Sequence, residues 1–139
     1  MQQLAESRLQ EAKILLANQL PDGALYLAGY ALELALKARV CKILETDYPA
    51  ENYRSFFTHK YNELVLLAGL SAQLDRKRTQ DPGFNANWSL LIGSGVQEGW
   101  SENWRYRKIG SVSNAEAVDF IEALEDSQSG VLTWIKLVW

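Results

Sequence analysis

The sequence predicts an all-α protein, an up-and-down bundle of four main helices with short extra helices, in a single domain spanning residues 1–139. Three observations lead to this prediction. Apolar residues recur at helical spacing in long stretches, no two segments alternate as a convincing strand pair would, and proline occurs only 3 times. With 47% hydrophobic and 22% charged residues, the chain has enough apolar surface for one core.

The first two helices are predicted up to about residue 45. Over Leu4–Asn18, apolar side chains follow a 3.6-residue rhythm with charged residues on the other side. A Pro-Asp-Gly turn follows, in which Asp22 is expected to cap the next helix with its carboxylate. Over residues 24–45, alanines spaced by 4, 3, 4 and 3 form a seam that another helix can approach closely: Ala24, Ala28, Ala31, Ala35 and Ala38.

A connector over residues 48–60 leads into a third helix. Thr58 is expected to cap this helix, which covers about His59–Leu70 and turns Leu64, Leu67 and Ala68 inward. Residues 71–78 extend it as a further helical piece.

The middle of the chain is predicted to be less regular. Pro82, Gly83 and two asparagines predict an exposed loop over residues 79–87. A short helix over 88–97 and an irregular stretch over 99–110 follow.

A capping-box pattern opens the last helical region. Ser113 precedes Glu116 by three residues, as the reciprocal capping interaction requires. The apolar stripe of this helix continues to the C-terminus, with a kink expected at Gly130. We interpret Glu122, Glu125 and Asp126 as its solvated face.

Composition excludes several classes of function. A net charge of -3 and a pI near 5.2 exclude a uniformly basic nucleic-acid coat, so any nucleic-acid contact must be a local patch. Cys41 is the single cysteine and cannot form an internal disulfide, which is typical of a reducing, cytoplasmic protein. No apolar run reaches the length of a membrane span, which predicts a soluble chain with no membrane partner.

The common motifs of metal and cofactor enzymes do not occur. The sequence has no phosphate loop, no GxGxxG and no HExxH. One cysteine and one histidine cannot build a closed zinc site. We therefore expect neither a metal nor a cofactor.

The only histidine follows an arginine by five positions. His59 has the chemistry of a general base, and Arg54 has that of a cation that stabilises charge on a phosphate, as a ribonuclease would require. The structural alternative is that His59 makes a local hydrogen bond beside Thr58 at the start of a helix.

A second concentration of functional side chains lies later in the chain. Six of the 14 cationic residues fall within residues 76–108, interleaved with Trp88, Trp100, Trp104 and Tyr106. Arg105, Tyr106 and Arg107 offer the phosphate donors and stacking face that a nucleotide or RNA needs. The alternative is that Trp88 and Trp100 are packing anchors and that Arg105 pairs with a carboxylate such as Glu33.

The second helix also carries a polar-tipped line opposite its alanine seam. Tyr26, Tyr30, Glu33 and Lys37 recur at spacings of 4, 3 and 4. We expect this line to be free to meet the Arg105-Tyr106 segment or a second subunit, so Tyr30, Glu33 and Lys37 join the candidate ligand-binding residues.

The segment Asp22-Gly23-Ala24-Leu25-Tyr26-Leu27-Ala28-Gly29-Tyr30-Ala31-Leu32-Glu33-Leu34-Ala35-Leu36-Lys37-Ala38 resembles the second helix of HEPN-domain proteins, helical nucleotide-binding domains of prokaryotes and higher eukaryotes. The likeness extends to Thr58-His59-Lys60 before a leucine-rich helix and to the later Arg105-Tyr106. The sequence is similar to one prokaryotic branch of the family over nearly its whole length.

The resemblance implies a bundle of four main helices, commonly a homodimer, and often a partner of a minimal nucleotidyltransferase in a toxin–antitoxin pair. Many relatives are metal-independent ribonucleases whose signature is an arginine, four to six residues and a histidine. Arg54 and His59 match that spacing, whereas the family signature lies near the last helices and no histidine follows Arg105 or Arg107.

Three hypotheses follow for the function. The first is a dimeric HEPN-like binding module, non-enzymatic or weakly enzymatic, with a nucleotide, RNA or a nucleotidyltransferase as its partner. The second is a metal-independent endoribonuclease toxin that uses Arg54 and His59. The third is a purely structural subunit whose Trp139 and aromatic line serve a protein interface.

Overall fold

The helix Pro21–Leu44 runs through the middle of an all-α fold, and the helices Gln2–Ala17, Tyr61–Leu67, Asn114–Glu125 and Val131–Lys136 pack against it. The computed structural model describes residues 1–46, 57–94 and 97–139. The helices are α1 Gln2–Ala17, α2 Pro21–Leu44, α3 Tyr61–Leu67, α4 Ser71–Gln80, α5 Pro82–Ile92, a 3₁₀ helix Glu102–Tyr106, α6 Asn114–Glu125 and α7 Val131–Lys136. Two short antiparallel strands, β1 Gly93–Ser94 and β2 Gln97–Glu98, follow α5.

The first two helices confirm the sequence prediction. α1 buries the apolar face predicted for it, including Ala5, Leu9 and Ala12. All five seam alanines of α2 are buried, because small side chains let α1 and α6 approach the α2 backbone.

The start of α2 differs from the prediction in the role of Asp22. Leu20 holds the N-cap position and Pro21 the first helical position, with no side-chain cap. The Asp22 carboxylate instead accepts hydrogen bonds from the backbone N–H groups of Gly110, at 2.7 Å, and Val112, at 3.0 Å. The predicted cap was therefore wrong, because a distant loop offers this carboxylate its donors.

Helix α3 is shorter than the predicted His59–Leu70. It begins after Lys60, which holds the N-cap position without a side-chain bond. The Thr58 hydroxyl donates to the Glu63 carboxylate instead of capping the helix directly. Leu64 and Ala68 are fully buried as predicted, and most of the predicted connector lies outside the described residues.

The predicted loop over residues 79–87 was wrong, because α5 begins at Pro82. Proline suits the first turn of a helix, where no backbone N–H is needed. The Asp81 side chain caps this helix by accepting from the Phe84 N–H at 2.9 Å. Phe84 and Trp88 are fully buried on the inner face of α5.

The C-terminal region confirms the capping box at Ser113 and Glu116. The apolar stripe continues across two helices instead of one kinked helix. α6 ends at Glu125, and Gly130 stands at the N-cap of α7. A Cβ on Gly130 would lie 2.4 Å from the Asp126 carbonyl oxygen, so the turn between α6 and α7 requires glycine.

Within the described residues, no helix has the length and apolar character to cross a membrane.

Candidate functional site

The first candidate surface is the basic segment, which we define as residues 105–108, Arg-Tyr-Arg-Lys. It begins in the 3₁₀ helix and continues into an extended turn. The Tyr106 side chain is 77% exposed, and Arg105 and Lys108 on either side of it are also exposed. The Arg105 guanidinium carbon lies 5.1 Å from the centroid of the Tyr106 ring. This surface therefore presents an exposed aromatic ring beside the Arg105 cation, with the exposed Lys108 two positions further along the chain.

Arg107 is engaged with neighbouring side chains. Its guanidinium lies 3.6 Å from the centroid of the Trp104 ring, and one of its nitrogens is 2.8 Å from a carboxylate oxygen of Glu98. The Arg107 charge also contributes to lowering the pKa of Glu116, after the larger effect of the hydrogen bonds from Ser113. Arg107 thus attaches the basic segment to Trp104 and Glu98.

Two anchors hold the chain on either side of the basic segment. On one side, the Trp100 indole stacks on Tyr61 with ring centroids 5.3 Å apart, and its Nε1 donates to the Tyr26 carbonyl at 3.1 Å. On the other side, Asp22 accepts from the backbone of residues 110–112. Because both ends are fixed to the helices, the exposed side chains have a defined platform.

Three grooves open beside Trp104, and two of them differ in the charge of their lining. One, of about 290 Å³, is lined by Tyr26, Arg105 and Ile109 among others. The other, of about 380 Å³, carries the carboxylates of Glu98, Glu116 and Asp119, together with Arg107. An anionic ligand is therefore better placed on the Arg105 side than on the Glu98 side.

A second cluster of charged side chains joins the core to the surface. Glu33 and Lys37 are buried, and the Lys37 Nζ lies 2.7 Å from Glu33 Oε1. His59 Nδ1 lies 3.0 Å from both oxygens of the same carboxylate. Burial first, and then the charge of Glu33, raises the pKa of the Tyr61 hydroxyl well above its ordinary value.

Within the predicted polar line of α2, Tyr26 lines a groove together with Arg105, whereas Glu33 and Lys37 lie in the core. The expected exposure of Glu33 and Lys37 was wrong, because their charges compensate each other inside the core. Glu33 binds Lys37 and His59, whereas Arg105 is exposed and lies over Tyr106. Tyr30 is half-buried and packs against the core.

The described residues test the hypothesis about the tryptophans but not the hypothesis about Arg54. The interpretation of Trp88 and Trp100 as packing anchors is confirmed, since Trp88 is fully buried and Trp100 nearly so. Arg54, the predicted partner of His59, lies outside the described residues.

Sequence reasoning missed three participants in these sites: the carboxylate of Asp22, the stacking face of Tyr61 and the Glu98 partner of Arg107. Each contacts a residue of another element. The Asp22 contact spans 88 residues of chain, and no local pattern signals such a distance.

Over residues 1–46, 57–94 and 97–139, no group of three or more His, Cys, Asp or Glu side chains is arranged to hold a metal ion. Comparison of the chain with family models, with curated proteins and with solved structures finds no match.

Proposed function

We propose that the chain is a HEPN-like helical module, an up-and-down bundle of four main helices with short extra helices, that binds a nucleotide, an RNA or a nucleotidyltransferase partner. The resemblance of the second helix and the burial of its alanine seam support this proposal. The module would act in the cytoplasm as a homodimer and as part of a toxin–antitoxin pair.

The observation that carries the binding proposal is the exposed Tyr106 ring with the Arg105 guanidinium 5.1 Å from its centroid and the exposed Lys108 two positions further along the chain. Nucleobases of any sequence stack on such a ring, and nearby cations contact the phosphates. The overall charge of -3 makes long-range attraction to RNA weak, so the local geometry must supply the affinity. We therefore place an RNA or nucleotide on the basic segment.

The test is binding of a fluorescent single-stranded RNA, and of a labelled nucleotide, across a salt series. We expect Arg105→Gln with Lys108→Gln to weaken binding about 10-fold, because two charge-assisted contacts are lost. The slope of log K against log salt should fall by about 0.7 for each phosphate contact removed. A further variant, Arg107→Gln, shows whether the contacts of Arg107 with Trp104 and Glu98 are needed for binding.

Arg8→Gln with Lys13→Gln is the matched control. It removes the same charge from α1, where Arg8 pairs with Glu11 and Lys13 with Glu125. Equal losses in both double variants would contradict the site, since only bulk charge would then matter. If the wild type binds neither RNA nor a nucleotide, the third hypothesis, a purely structural subunit, replaces this one.

A second candidate function, the metal-independent ribonuclease, is favoured by the position of His59. Its side chain is 40% exposed while its Nδ1 contacts a buried carboxylate. In the reaction, the imidazole takes the proton of an RNA 2′-hydroxyl and O2′ bonds to the adjacent phosphorus. The P–O5′ bond breaks, and the leaving oxygen takes a proton from water, whose hydroxide is neutralised by the proton that the imidazolium releases. Arg54 would stabilise the charge on the phosphate.

This candidate is tested by incubating purified protein with RNA in the presence of a chelator. We expect cleavage to yield 2′,3′-cyclic phosphate ends and to fall about 100-fold or more in His59→Ala. Asn62→Ala changes an exposed neighbour on α3 and should cleave as the wild type does. Absence of cleavage by the wild type, or full activity in His59→Ala, would exclude the ribonuclease.

A further inference from the structure

The buried ion pair of α2 is not explained by stability. Among the described residues, Glu33 and Lys37 are the charged side chains that are buried, with 1% and 3% of their surface exposed. Desolvation of two charges offsets most of their mutual attraction, and well-packed apolar residues in their place often leave stability unchanged or increase it. The pair therefore calls for another role.

The pair connects to the surface through His59. The imidazole approaches from the turn before α3, and its Nδ1 is equally distant from both carboxylate oxygens, at 3.0 Å. An ionised carboxylate only accepts hydrogen bonds, so the Nδ1 must donate. In the neutral ring the lone pair is then on Nε2, the nitrogen that makes no contact with Glu33.

The surrounding groups keep Glu33 available to His59. Lys37 compensates the charge of the carboxylate from the next turn of α2. The nearby Tyr61 hydroxyl donates to the Gly29 carbonyl at 2.8 Å and does not compete for the carboxylate. The other charged groups at the start of α3, Lys60 and Glu63, are exposed and paired with each other.

We propose that Glu33, charge-compensated by Lys37, is a positioning residue that holds the proton of the neutral imidazole on Nδ1 and presents Nε2 of His59 as a proton acceptor at the surface. This inference rests on the ribonuclease candidate for its substrate, the 2′-hydroxyl of RNA. The positioning of His59 itself is independent of that substrate.

The test uses the fact that the chain has a single histidine, whose ring nitrogens give unambiguous NMR signals. Long-range ¹H–¹⁵N correlation spectra are recorded on the full chain in alkaline buffer, where an imidazole is neutral. We expect the wild type to hold its proton on Nδ1. A wild-type ring with its proton on Nε2 overturns the proposal, whatever the variants show.

The decisive variant is Glu33→Leu with Lys37→Met, which replaces both buried charges together and leaves neither unpaired. We expect it to fold and to lose the preference for Nδ1–H. The matched control, Glu125→Leu with Lys13→Met, removes a more exposed ion pair between α1 and α6 and should keep that preference. An unchanged tautomer in the folded double variant overturns the proposal, because another group would then hold the ring.

Cleavage of RNA separates this proposal from the ribonuclease candidate. In the double variant kcat should fall about 10- to 100-fold with little change in KM, because the base is misaligned while RNA contacts are kept. A wild type with the Nδ1–H tautomer and no cleavage refutes the ribonuclease and supports the positioning of His59. Cleavage that is unaffected in the double variant refutes the role of Glu33 in catalysis.

Discussion

Gly29 lies where the indole of Trp100 presses against α2. A Cβ at this position would be only 2.1 Å from Trp100 Cδ1, a distance that no side chain tolerates. The glycine thus lets the tryptophan stack on Tyr61 and anchor the basic segment. The Tyr61 hydroxyl also donates a hydrogen bond to the Gly29 carbonyl, so Tyr61 contacts both Gly29 and Trp100.

We expect Gly29→Ala to lower the free energy of unfolding by about 1–3 kcal/mol, because Trp100 must move out of its packed position. Urea unfolding followed by circular dichroism measures the change. Gly23→Ala is the control in the same helix, since its Cβ would meet only the flexible end of Leu15, at 3.1 Å. That variant should stay within about 1 kcal/mol of the wild type. Equal stability of the two variants would contradict the role of Gly29.

Single residues also show where sequence reasoning works. The anchoring of Trp88 and Trp100 follows from the size and apolarity of the indole, which are intrinsic properties. The partnership of Glu33 with His59 joins residues that are 26 positions apart, and its formation depends on how α3 is placed against α2. Sequence pattern predicted the chemistry of His59 but not its partner.

At the scale of elements, Asp81 joins three parts of the fold. It caps α5 through the Phe84 N–H, pairs with Lys77 of α4 at 2.8 Å, and accepts from the Ser129 hydroxyl in the turn between α6 and α7. The hydrogen bond from Lys77 first, and then that from the Phe84 N–H, lowers the pKa of Asp81 from 3.8 to about 2. These contacts all favour the ionised carboxylate.

A carboxyl whose pKa is lowered by folding stabilises the protein above its ordinary pKa, and the effect is lost as the pH falls through the folded value. The contribution of Asp81 should therefore disappear between about pH 4 and pH 2. We expect Asp81→Asn to show a smaller decline of the melting temperature over this range than the wild type. Three other carboxyls whose pKa values are also lowered, Glu63, Glu116 and Asp126, should account for the rest of the decline in both proteins.

Asp75→Asn, which removes an exposed carboxylate from the preceding helix α4, is the control for this measurement. If the melting temperature of Asp81→Asn declines as steeply as that of the wild type between about pH 4 and pH 2, the contacts of Asp81 do not stabilise the folded protein.

Elements also show why one local prediction failed. Pro82 and Gly83 resemble the composition of a loop, yet proline is equally suited to the first turn of a helix. The burial of Phe84 decided between the two, because an exposed loop over residues 79–87 would have left this aromatic side chain in water. The capping box at Ser113 was predictable because its two members are local to each other.

At the scale of the whole molecule, the charges are divided between distinct places. The net charge is -3, whereas the basic segment is cationic and the groove on its other side carries three carboxylates. The buried charges of Glu33 and Lys37 are opposite in sign and cancel in the net charge. The proposed recognition of an anion therefore depends on a short segment and not on the overall charge.

The proposed homodimer makes a prediction for the whole molecule. Light scattering coupled to size-exclusion chromatography should give twice the chain mass of 15.7 kDa. The same measurement with the product of the neighbouring gene tests the nucleotidyltransferase partner, because a stable complex would elute earlier with both chains present. A mass of one chain over a dilution series would exclude the homodimer.

The sequence by itself determined the helical class, the first two helices, the alanine seam and the capping box. These features depend on residue size, apolar period and neighbours within one turn of helix, which are encoded locally. The tertiary structure alone decided that Glu33 and Lys37 are buried, that His59 meets them, and that Asp22 holds the loop behind the basic segment. Those contacts join elements distant in the chain, so they exist only once packing has brought their backbones together.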